Sequence, residues 1–508
     1  MDVICCATEE NESARSSLQL QSTARATSEV EKRMQQSPVQ VVSRRIVKPP
    51  PRPRERVPLT TWDLSLLSAD YIQKGLLFAP PPCFSTFTHL VDHLQAALAD
   101  AIATYYPVAG RLAIDRHHDD EGHVVGCSVS VDCAGQGVEV LEAVADGVVV
   151  ADVVPPDADV PSVVRSLFPL NEAVNYDGHE RPLFVVQVTQ LADGVFVGFV
   201  YNHALSDGTA FWNFINAWAE IARARLSSPA PGGGACVLAS RTPPLFERWS
   251  PDGSGAAAPV VLPYADIEGL IVRPTLPPPP QRDRMLHFSA ESLAALKERA
   301  RQELLAAGDT AGAAAVTSFQ ALSSLLWRCF VRARRTAPDQ EVVFRASANN
   351  RGRLRPPLPA EYFGNAINAV STEAVRASEL LARGHGWAAA AVGRAVAAHT
   401  DAGIRALAAA WAAKPGLLAF RLFDPNAMFI SSSPRFDMYG CDFGWGKALA
   451  VRGGKANKYD GKVSLFPGRE GGGSIDAEVV LTPEHMLALE QDDEFWAAVS
   501  PDVQPATK

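Results

Sequence analysis

The sequence predicts an α/β fold made of two domains. Its 508 residues exceed what one small module needs, because domains commonly hold about 150 residues. Two runs of β-branched and aromatic residues flank Asp193-Gly194, which predicts a β-hairpin, and apolar residues then recur at helical spacing up to Ile221. A stretch rich in Pro, Gly and Ala at 227–284 separates this half from a second set of helices and strands.

Four segments follow from this organisation. Residues 1–33 are polar, lack an apolar period and are predicted to be a disordered extension. An N-terminal domain is expected at 34–226, a crossover linker at 227–284 and a C-terminal domain at 285–508.

The elements of each domain are predicted from apolar spacing. In the first domain a strand begins near Val39, and a helix runs from Phe87 to Tyr106, where Pro107 ends it. The second domain is predicted to begin with a strand and to continue with helices, at 286–288, 290–305, 318–332 and 373–414. Its last hundred residues alternate apolar runs with glycines, which indicates strands and turns.

Composition excludes several classes of protein. Lys and Arg total 47 against 56 Asp and Glu, so the net charge of −9 argues against nucleic acid or an anionic membrane as a partner of the whole chain. No stretch of 18 apolar residues occurs, and acids in the first 33 residues argue against a transit peptide. The eight scattered cysteines show no metal or redox pairing, which favours reduced thiols and a cytoplasmic location.

The first candidate for chemistry is the run Asn202 to Gly208, where a strand ends at His203 and a helix follows. A histidine at the carboxyl edge of a sheet titrates near neutrality and suits proton abstraction from a hydroxyl or amine. The spacing alone also fits a packed turn histidine with Asp207 as a helix cap.

The second candidate is the run Asp442 to Lys447, with sequence DFGWGK. Bulky residues alternate there with glycines, which no regular strand or helix favours, and such a loop lets the backbone approach another group closely. Taken alone, the loop also fits a structural bulge with Trp445 in the core.

The two motifs together, in this order, resemble the plant BAHD acyltransferases, the HxxxD-type enzymes that use acyl-CoA. The resemblance covers about residues 37 to 500. Within the family, the chain resembles a branch often described as uncharacterised acetyltransferases. The resemblance rests on the two runs above and on further motifs, Leu59 to Leu64, Tyr71 to Gly75, Ser85 to Phe87, Tyr105 to Leu112, Ser318 to Leu322, Leu326 to Arg328 and Tyr362 to Asn365.

The resemblance implies two similar domains of the chloramphenicol acetyltransferase type, with a channel at their interface. Acyl-CoA enters as a co-substrate from one face and a small plant metabolite from the other, and His203 acts as the general base on the acceptor hydroxyl or amine. A monomer is expected, with no permanently bound cofactor and no metal.

The resemblance also assigns structural roles. Asp207 is expected to turn away from His203 towards an arginine, and Asp442 is expected to form a salt bridge far from the reaction. Arg351 and Arg353 are the arginines predicted to pair with these aspartates. Gly208, Gly444, Trp445 and Gly446 belong to the same structural motifs.

Family members often carry Thr or Ser about eleven residues before the DFGWGK loop, where this chain has Ser431, so the resemblance implies that Ser431 donates to the oxyanion of the intermediate. A basic run, Arg452, Lys455, Lys458 and Lys462, is a candidate site for the CoA phosphates or a solvated loop. Ser318 is expected near the pantetheine arm.

Two alternatives remain on the same scaffold. One is a condensation enzyme acting on carrier-protein thioesters; such enzymes favour a second histidine just before the catalytic one, where this chain has Asn202. The other is a catalytically silent binding protein, against which the retained His203 and DFGWGK loop speak.

Overall fold

The computed structural model describes residues 37–227, 237–251, 259–273, 279–418 and 424–501. The predicted extension at 1–33 lies outside the described residues. The strands are β1 (Gln40–Val47), β2 (Arg56–Pro58), β3 (Ile72–Phe78), β4 (Arg111–His118), β5 (Val124–Asp132), β6 (Val138–Val144), β7 (Phe184–Gln190), β8 (Val195–Tyr201), β9 (Arg282–Phe288), β10 (Glu341–Asn349), β11 (Ile367–Ser371), β12 (Val375–Arg376), β13 (Ala427–Ser431), β14 (Ala450–Gly453), β15 (Lys462–Pro467) and β16 (Ile475–Leu481).

The helices are α1 (Thr61–Leu64), α2 (Phe87–Thr104), α3 (Val150–Val153), α4 (Val163–Ser166), α5 (Gly208–Ser227), α6 (Ala290–Ala306), α7 (Thr310–Ala315), α8 (Ser318–Ala333), α9 (Ala377–Ala382), α10 (Gly384–Ala398), α11 (Asp401–Ala413), α12 (Pro483–Leu489) and α13 (Asp493–Trp496). Short 3₁₀ turns lie at Tyr106–Ala109, Asn175–His179 and Glu268–Leu270. No described helix is long and apolar enough to cross a membrane.

The first sheet has the order β1-β6-β7-β8-β3-β14. Its β7–β8 hairpin turns around Asp193-Gly194, with Gln190 opposite Val195, so the predicted hairpin is confirmed. Helices α2 and α5 are joined by a hydrogen bond from Trp218 Nε1 to the Leu94 carbonyl, 3.0 Å long. The predicted helix from Phe87 is confirmed, and its end at Thr104 is followed by a 3₁₀ turn that contains Pro107.

The second sheet has the order β11-β10-β13-β15-β16-β9, with β12 paired to β10. Strands β10, β13 and β15 run parallel, and the other pairs are antiparallel. Helices α6, α8 and α10 contribute buried Leu, Ala and aromatic side chains to the core beside this sheet. The helices predicted at 290–305 and 318–332 are confirmed as α6 and α8. A third, smaller sheet has the order β2-β5-β4.

One strand crosses between the two halves of the chain. Strand β14 comes from the segment predicted as the C-terminal domain, yet it pairs antiparallel with β3 of the first sheet. Its Ala450 and Val451 are buried there, so the crossing covers an edge of the first sheet with apolar side chains. The segment 285–508 therefore builds part of both sheets.

Two described stretches of the predicted linker, 237–251 and 259–273, pack on the protein body, and its last residues, from Arg282, already belong to β9. Leu262 is buried and exchanges two backbone hydrogen bonds with Cys127. Trp249 stacks on Trp62 with ring centroids 4.3 Å apart. Low apolar periodicity predicts an extended connection and does not reveal these contacts, because two backbone hydrogen bonds and one stacked ring need no repeated spacing.

Candidate active site

The turn between β8 and α5 presents His203 and is held in place on both sides. The Asn202 side chain closes the turn, because its Oδ1 accepts from Ala204 N and its Nδ2 donates to the Asn175 carbonyl. His203 N donates to Asn175 Oδ1 at 2.7 Å, and Asn365 Nδ2 donates to the His203 carbonyl at 2.8 Å. The position of the imidazole is therefore fixed by two segments distant in sequence.

The imidazole of His203 borders a cavity of 260 Å³ lined by residues of both sheets. Its Nδ1 is buried and has no hydrogen-bond partner among the described residues. Burial lowers the pKa of His203 below its usual value of 6.5. The ring is thus neutral at pH 7 and able to accept a proton.

Asp207 is engaged with an arginine, as the sequence predicts. Arg351 donates through Nη1 and Nη2 to the two carboxylate oxygens, at 2.7 and 3.0 Å. The same carboxylate accepts from the backbone N–H groups of Thr209, Ala210 and Ala366. Asp207 therefore caps α5 and ties it to the second half of the chain, and among the described residues it makes no hydrogen bond to the His203 ring.

A second buried ion pair beneath the His203 turn escapes the sequence analysis. Arg248, from the predicted linker, lies 3.5 Å from Asp63 Oδ2 and donates to the carbonyls of Leu205 and Phe363. Asp63 in turn accepts from Asn365 Nδ2 at 2.9 Å. The only sequence signal was an arginine isolated in a Pro- and Gly-rich segment, which by itself predicts a solvated side chain.

The DFGWGK loop is structural, but the predicted salt bridge of Asp442 is wrong. Among the described residues Asp442 forms no ion pair, and its Oδ1 accepts from the N–H groups of Gly444 and Gly446 at 2.8 and 2.9 Å. Arg353, one predicted partner, donates to two helix-end carbonyls instead. Asp442 closes its own loop because a short carboxylate reaches backbone donors two and four residues ahead more readily than a distant guanidinium.

The backbone conformation and the packing of the remaining motif residues explain why these residue types occur there. Gly444 and Gly446 have φ of 115° and 109°, which glycine adopts without strain. The Trp445 ring packs edge-on against Phe78 with centroids 5.6 Å apart, so the loop covers the core of the first sheet. At Gly208 a Cβ atom would come within 2.8 Å of the Phe436 ring, which explains the glycine there.

Ser431 ends β13 and lines the same cavity as His203. Its neighbour on β15 is Ser464, and Ser432 follows with φ of 66° and a buried hydroxyl that has no partner. The structure thus brings Ser431 and His203 to one cavity, and the role of Ser431 as an oxyanion donor stays a prediction.

The three predicted CoA-binding residues do not line this cavity. Arg452 Nε donates to the Val153 carbonyl, and Lys455 pairs with Glu172. Ser318 is the first residue of α8. Their assignment to CoA remains a prediction, and the structure provides no contact between them and His203.

Lys458 and Lys462 of the basic run do line the cavity, together with Lys74 of β3. Lys458 Nζ bonds to Asp283 and Glu478 at 2.9 and 2.8 Å. Burial lowers the pKa of Lys74 to about 8 and that of Lys462 to about 7. No pattern in the sequence predicts this group, because lysines on three separate elements share no spacing.

Comparison with known proteins places the chain among acyltransferases. The Transferase family matches residues 37–496. An uncharacterised acetyltransferase of Arabidopsis thaliana is 35% identical over 87% of this chain and 94% of its own length. The BAHD acyltransferase DCR of the same plant is 33% identical over 90% of this chain and 92% of its own length.

Solved structures share the fold at low sequence identity. Vinorine synthase superposes with a TM-score of 0.64, with 18% identity over 91% of this chain and 99% of its own. F. sporotrichioides TRI101 complexed with coenzyme A and T-2 superposes with a TM-score of 0.63, with 17% identity over 88% of this chain and 100% of its own. The predicted fold of two chloramphenicol-acetyltransferase-like α/β domains is thereby confirmed.

Proposed function

This chain belongs to the BAHD family of acyl-CoA-dependent acyltransferases, and we propose that His203 is the general base with which it acylates a hydroxyl or amine of a small plant metabolite. The observation that carries the proposal is the position of the His203 ring at a cavity lined by residues of both sheets. A neutral imidazole with a lowered pKa meets the requirement for a base.

The proposed reaction proceeds in one site. His203 Nε2 takes the proton from the acceptor O–H or N–H, and the freed electron pair attacks the thioester carbonyl carbon of acyl-CoA. The carbon–sulfur bond then breaks, and CoA leaves as a thiolate that recovers the proton from His203. General-base catalysis of this kind contributes about 10²- to 10⁴-fold.

Ser431 is the proposed donor to the tetrahedral oxyanion. Its place at the end of β13, on the same cavity as His203, supports this role. Replacement of Ser431 by Ala is expected to lower kcat about 10²-fold, as loss of one oxyanion donor does elsewhere. Replacement by Thr, which keeps the hydroxyl, is the matched control.

The first acceptors to test are the compounds that appear in the names of relatives. A hydroxycinnamoyltransferase of Avena sativa, 30% identical, is named for 5-hydroxyanthranilate, and one of Nicotiana tabacum, 28% identical, for shikimate. We propose to incubate the purified chain with acetyl-, benzoyl- and hydroxycinnamoyl-CoA and pooled alcohols and amines, including these two, and to follow thiol release and product mass. Thiol release that needs both acceptor and His203 supports the proposal, and its absence with every pair contradicts it.

We also propose that the protein acts as a monomer in the cytoplasm. The cytoplasmic location is supported by the scattered cysteines, which show no metal or redox pairing, and the monomer by the resemblance to the BAHD family. Sedimentation of the purified chain and imaging of a carboxyl-terminal fusion test it, and a dimer or an organellar signal contradicts it.

A further inference from the structure

Three serine side chains form a row across the second sheet, where it borders the active-site cavity. Ser431 of β13 is the register partner of Ser464 of β15. Ser347 of β10 follows Ala346, which pairs with Ile430, so Ser347 lies beside Ser431 on its other side. Neighbouring strands are about 4.8 Å apart. All three serines line the cavity, so the row presents three hydroxyl groups to it from adjacent parallel strands.

The hydroxyl groups of this row are available to a ligand. Among the described residues, none of the three hydroxyls makes a hydrogen bond. Ser431 and Ser464 are half-buried, and Ser347 is exposed. A serine hydroxyl has one donor and two acceptor positions. A ligand that covers the row must therefore supply both acceptors and donors, which an alcohol group does and a carboxylate or an ammonium group does not.

The carboxylate that continues the row is already paired. Glu478 of β16 is the register partner of Ser464 and also lines the cavity. It accepts from Lys458 Nζ at 2.8 Å, and Lys458 also contacts Asp283 at 2.9 Å. Alcohol groups hydrogen-bond to charged side chains as well as to neutral ones. The end of the row at Glu478 is therefore compatible with a neutral ligand.

Aromatic side chains form another part of the cavity wall. Trp212 of α5 is buried, Phe436 is half-buried, and both line the cavity. A ring polyol has C–H faces that pack on aromatic side chains and hydroxyl groups around its edge. The lining therefore matches a molecule with apolar faces and a hydroxylated edge.

We propose that the acceptor bound in this cavity is a neutral ring polyol, a sugar or a cyclitol, whose non-reacting hydroxyl groups bind Ser347 and Ser464. The proposal rests on the proposed acyl transfer, because it names the chemical class of the acceptor that His203 deprotonates. Ser431, between the other two serines, keeps its proposed role as the oxyanion donor. One hydroxyl of the polyol then reaches His203 while others are held on either side of Ser431.

The number of hydroxyl groups on the ligand should determine its affinity. A ring of the same size with a single hydroxyl displaces water from the row and leaves Ser347 and Ser464 without partners. Each lost hydrogen bond weakens binding by about 2- to 10-fold. The preference for a polyol over its single-hydroxyl analogue is therefore expected to reach about tenfold or more.

Saturation-transfer NMR titrations of the purified chain measure this preference without turnover. The probes are two matched pairs, methyl β-D-glucopyranoside with tetrahydropyran-2-methanol, and myo-inositol with cyclohexanol. We expect at least one polyol to bind about ten times more tightly than its single-hydroxyl partner. Preference in the first pair identifies a sugar and preference in the second a cyclitol, whereas no preference in either pair overturns the proposal.

Variants of the row test whether the serines bind the polyol. Ser347→Ala and Ser464→Ala are each expected to reduce the preference about 2- to 10-fold, and Ser464→Thr, which keeps the hydroxyl, should retain it. Ser371→Ala is the matched control, because Ser371 is an exposed serine of β11 in the same sheet and does not line the cavity. A folded protein that lacks both the Ser347 and Ser464 hydroxyls and keeps the full preference overturns the proposal.

The same variants distinguish a polyol site from a site for the CoA arm. The Kd of CoA is expected to be the same in Ser347→Ala, Ser464→Ala and wild-type protein. Weaker binding of CoA together with unchanged binding of the polyols would assign the row to CoA and contradict the proposal.

The titrations and the thiol assay separate this proposal from the proposed function. Polyol preference that depends on Ser347 and Ser464, without thiol release from any acyl-CoA, keeps the polyol site and rejects the acyl transfer. Thiol release that depends on His203, with equal binding of polyols and single-hydroxyl rings, does the reverse.

Discussion

The Arg351 guanidinium holds both carboxylate oxygens of Asp207, at 2.7 and 3.0 Å, across a separation of 144 residues. Both side chains are nearly excluded from solvent, at 6% and 1% exposure. The pair therefore joins the segment after β10 to the first turn of α5, directly behind His203. An aspartate bound in this way holds the His203 turn in place, and we expect that it does not relay a proton.

Removal of the Asp207 carboxylate is expected to lower the free energy of unfolding before it affects catalysis. Asp207→Ala leaves Arg351 buried and charged, since arginine cannot lose its proton in a protein, and the free energy of unfolding should fall by about 3 to 5 kcal/mol. Asp115→Ala, which breaks an exposed pair with Arg56, is the matched control and should cost about 1 kcal/mol or less. Urea unfolding measures both, and an Asp207→Ala protein as stable as wild type but inactive would show a relay.

The two glycines of the DFGWGK loop are expected to differ in their tolerance of alanine. Both have positive φ, so either substitution should cost about 1 to 3 kcal/mol in backbone strain. A Cβ at Gly444 would also overlap the Leu226 side chain, whereas nothing lies within 4 Å of one at Gly446. Thermal unfolding should therefore show a lower Tm for Gly444→Ala than for Gly446→Ala, and equal values would argue against close packing of the loop on α5.

The pH dependence of transfer should report the ionisation of His203. Burial lowers its pKa, and only the neutral ring accepts a proton. We expect kcat/KM to fall as the pH decreases, with an apparent pKa below 6.5. If the pH profile of kcat/KM shows an apparent pKa at or above 6.5 with several acceptors, another group limits the reaction.

The buried lysines should make the folded state more stable at higher pH. Lys74 and Lys462 have pKa values of about 8 and about 7 in the folded state, below the unfolded value of 10.5, so the unfolded chain binds more protons between these limits. Their contribution to the free energy of unfolding therefore rises with pH from about 7 to about 10. Lys74→Met should be more stable than wild type at pH 7 and show a shallower rise.

Chemical denaturation at pH 7, 8 and 9 measures this slope, and Lys297→Met is the control that should keep it. A Lys74→Met protein with an unchanged slope would show that Lys74 is not desolvated in the folded state.

Local patterns in the sequence predict the elements and the position of His203 well. The Asp193-Gly194 hairpin and α5 depend on residues adjacent in the chain, which a pattern records. Contacts between segments distant in the chain leave no local pattern in the sequence. Arg248 pairs with Asp63, and Lys74 and Lys462 line one cavity from two sheets, although the spacing of these residues in the sequence shows no period. The motif predicts the wrong partner for Asp442, because it does not show whether a carboxylate bonds to its own loop.

The central claim is that His203 removes the proton from the acceptor. Steady-state thiol release by purified His203→Ala tests it most directly, beside His118→Ala, which removes an exposed histidine of β4. We predict a loss of at least about 10²-fold for His203→Ala with a Tm near that of wild type, and wild-type turnover for His118→Ala. Folded His203→Ala protein that retains more than about a tenth of wild-type turnover would contradict the account.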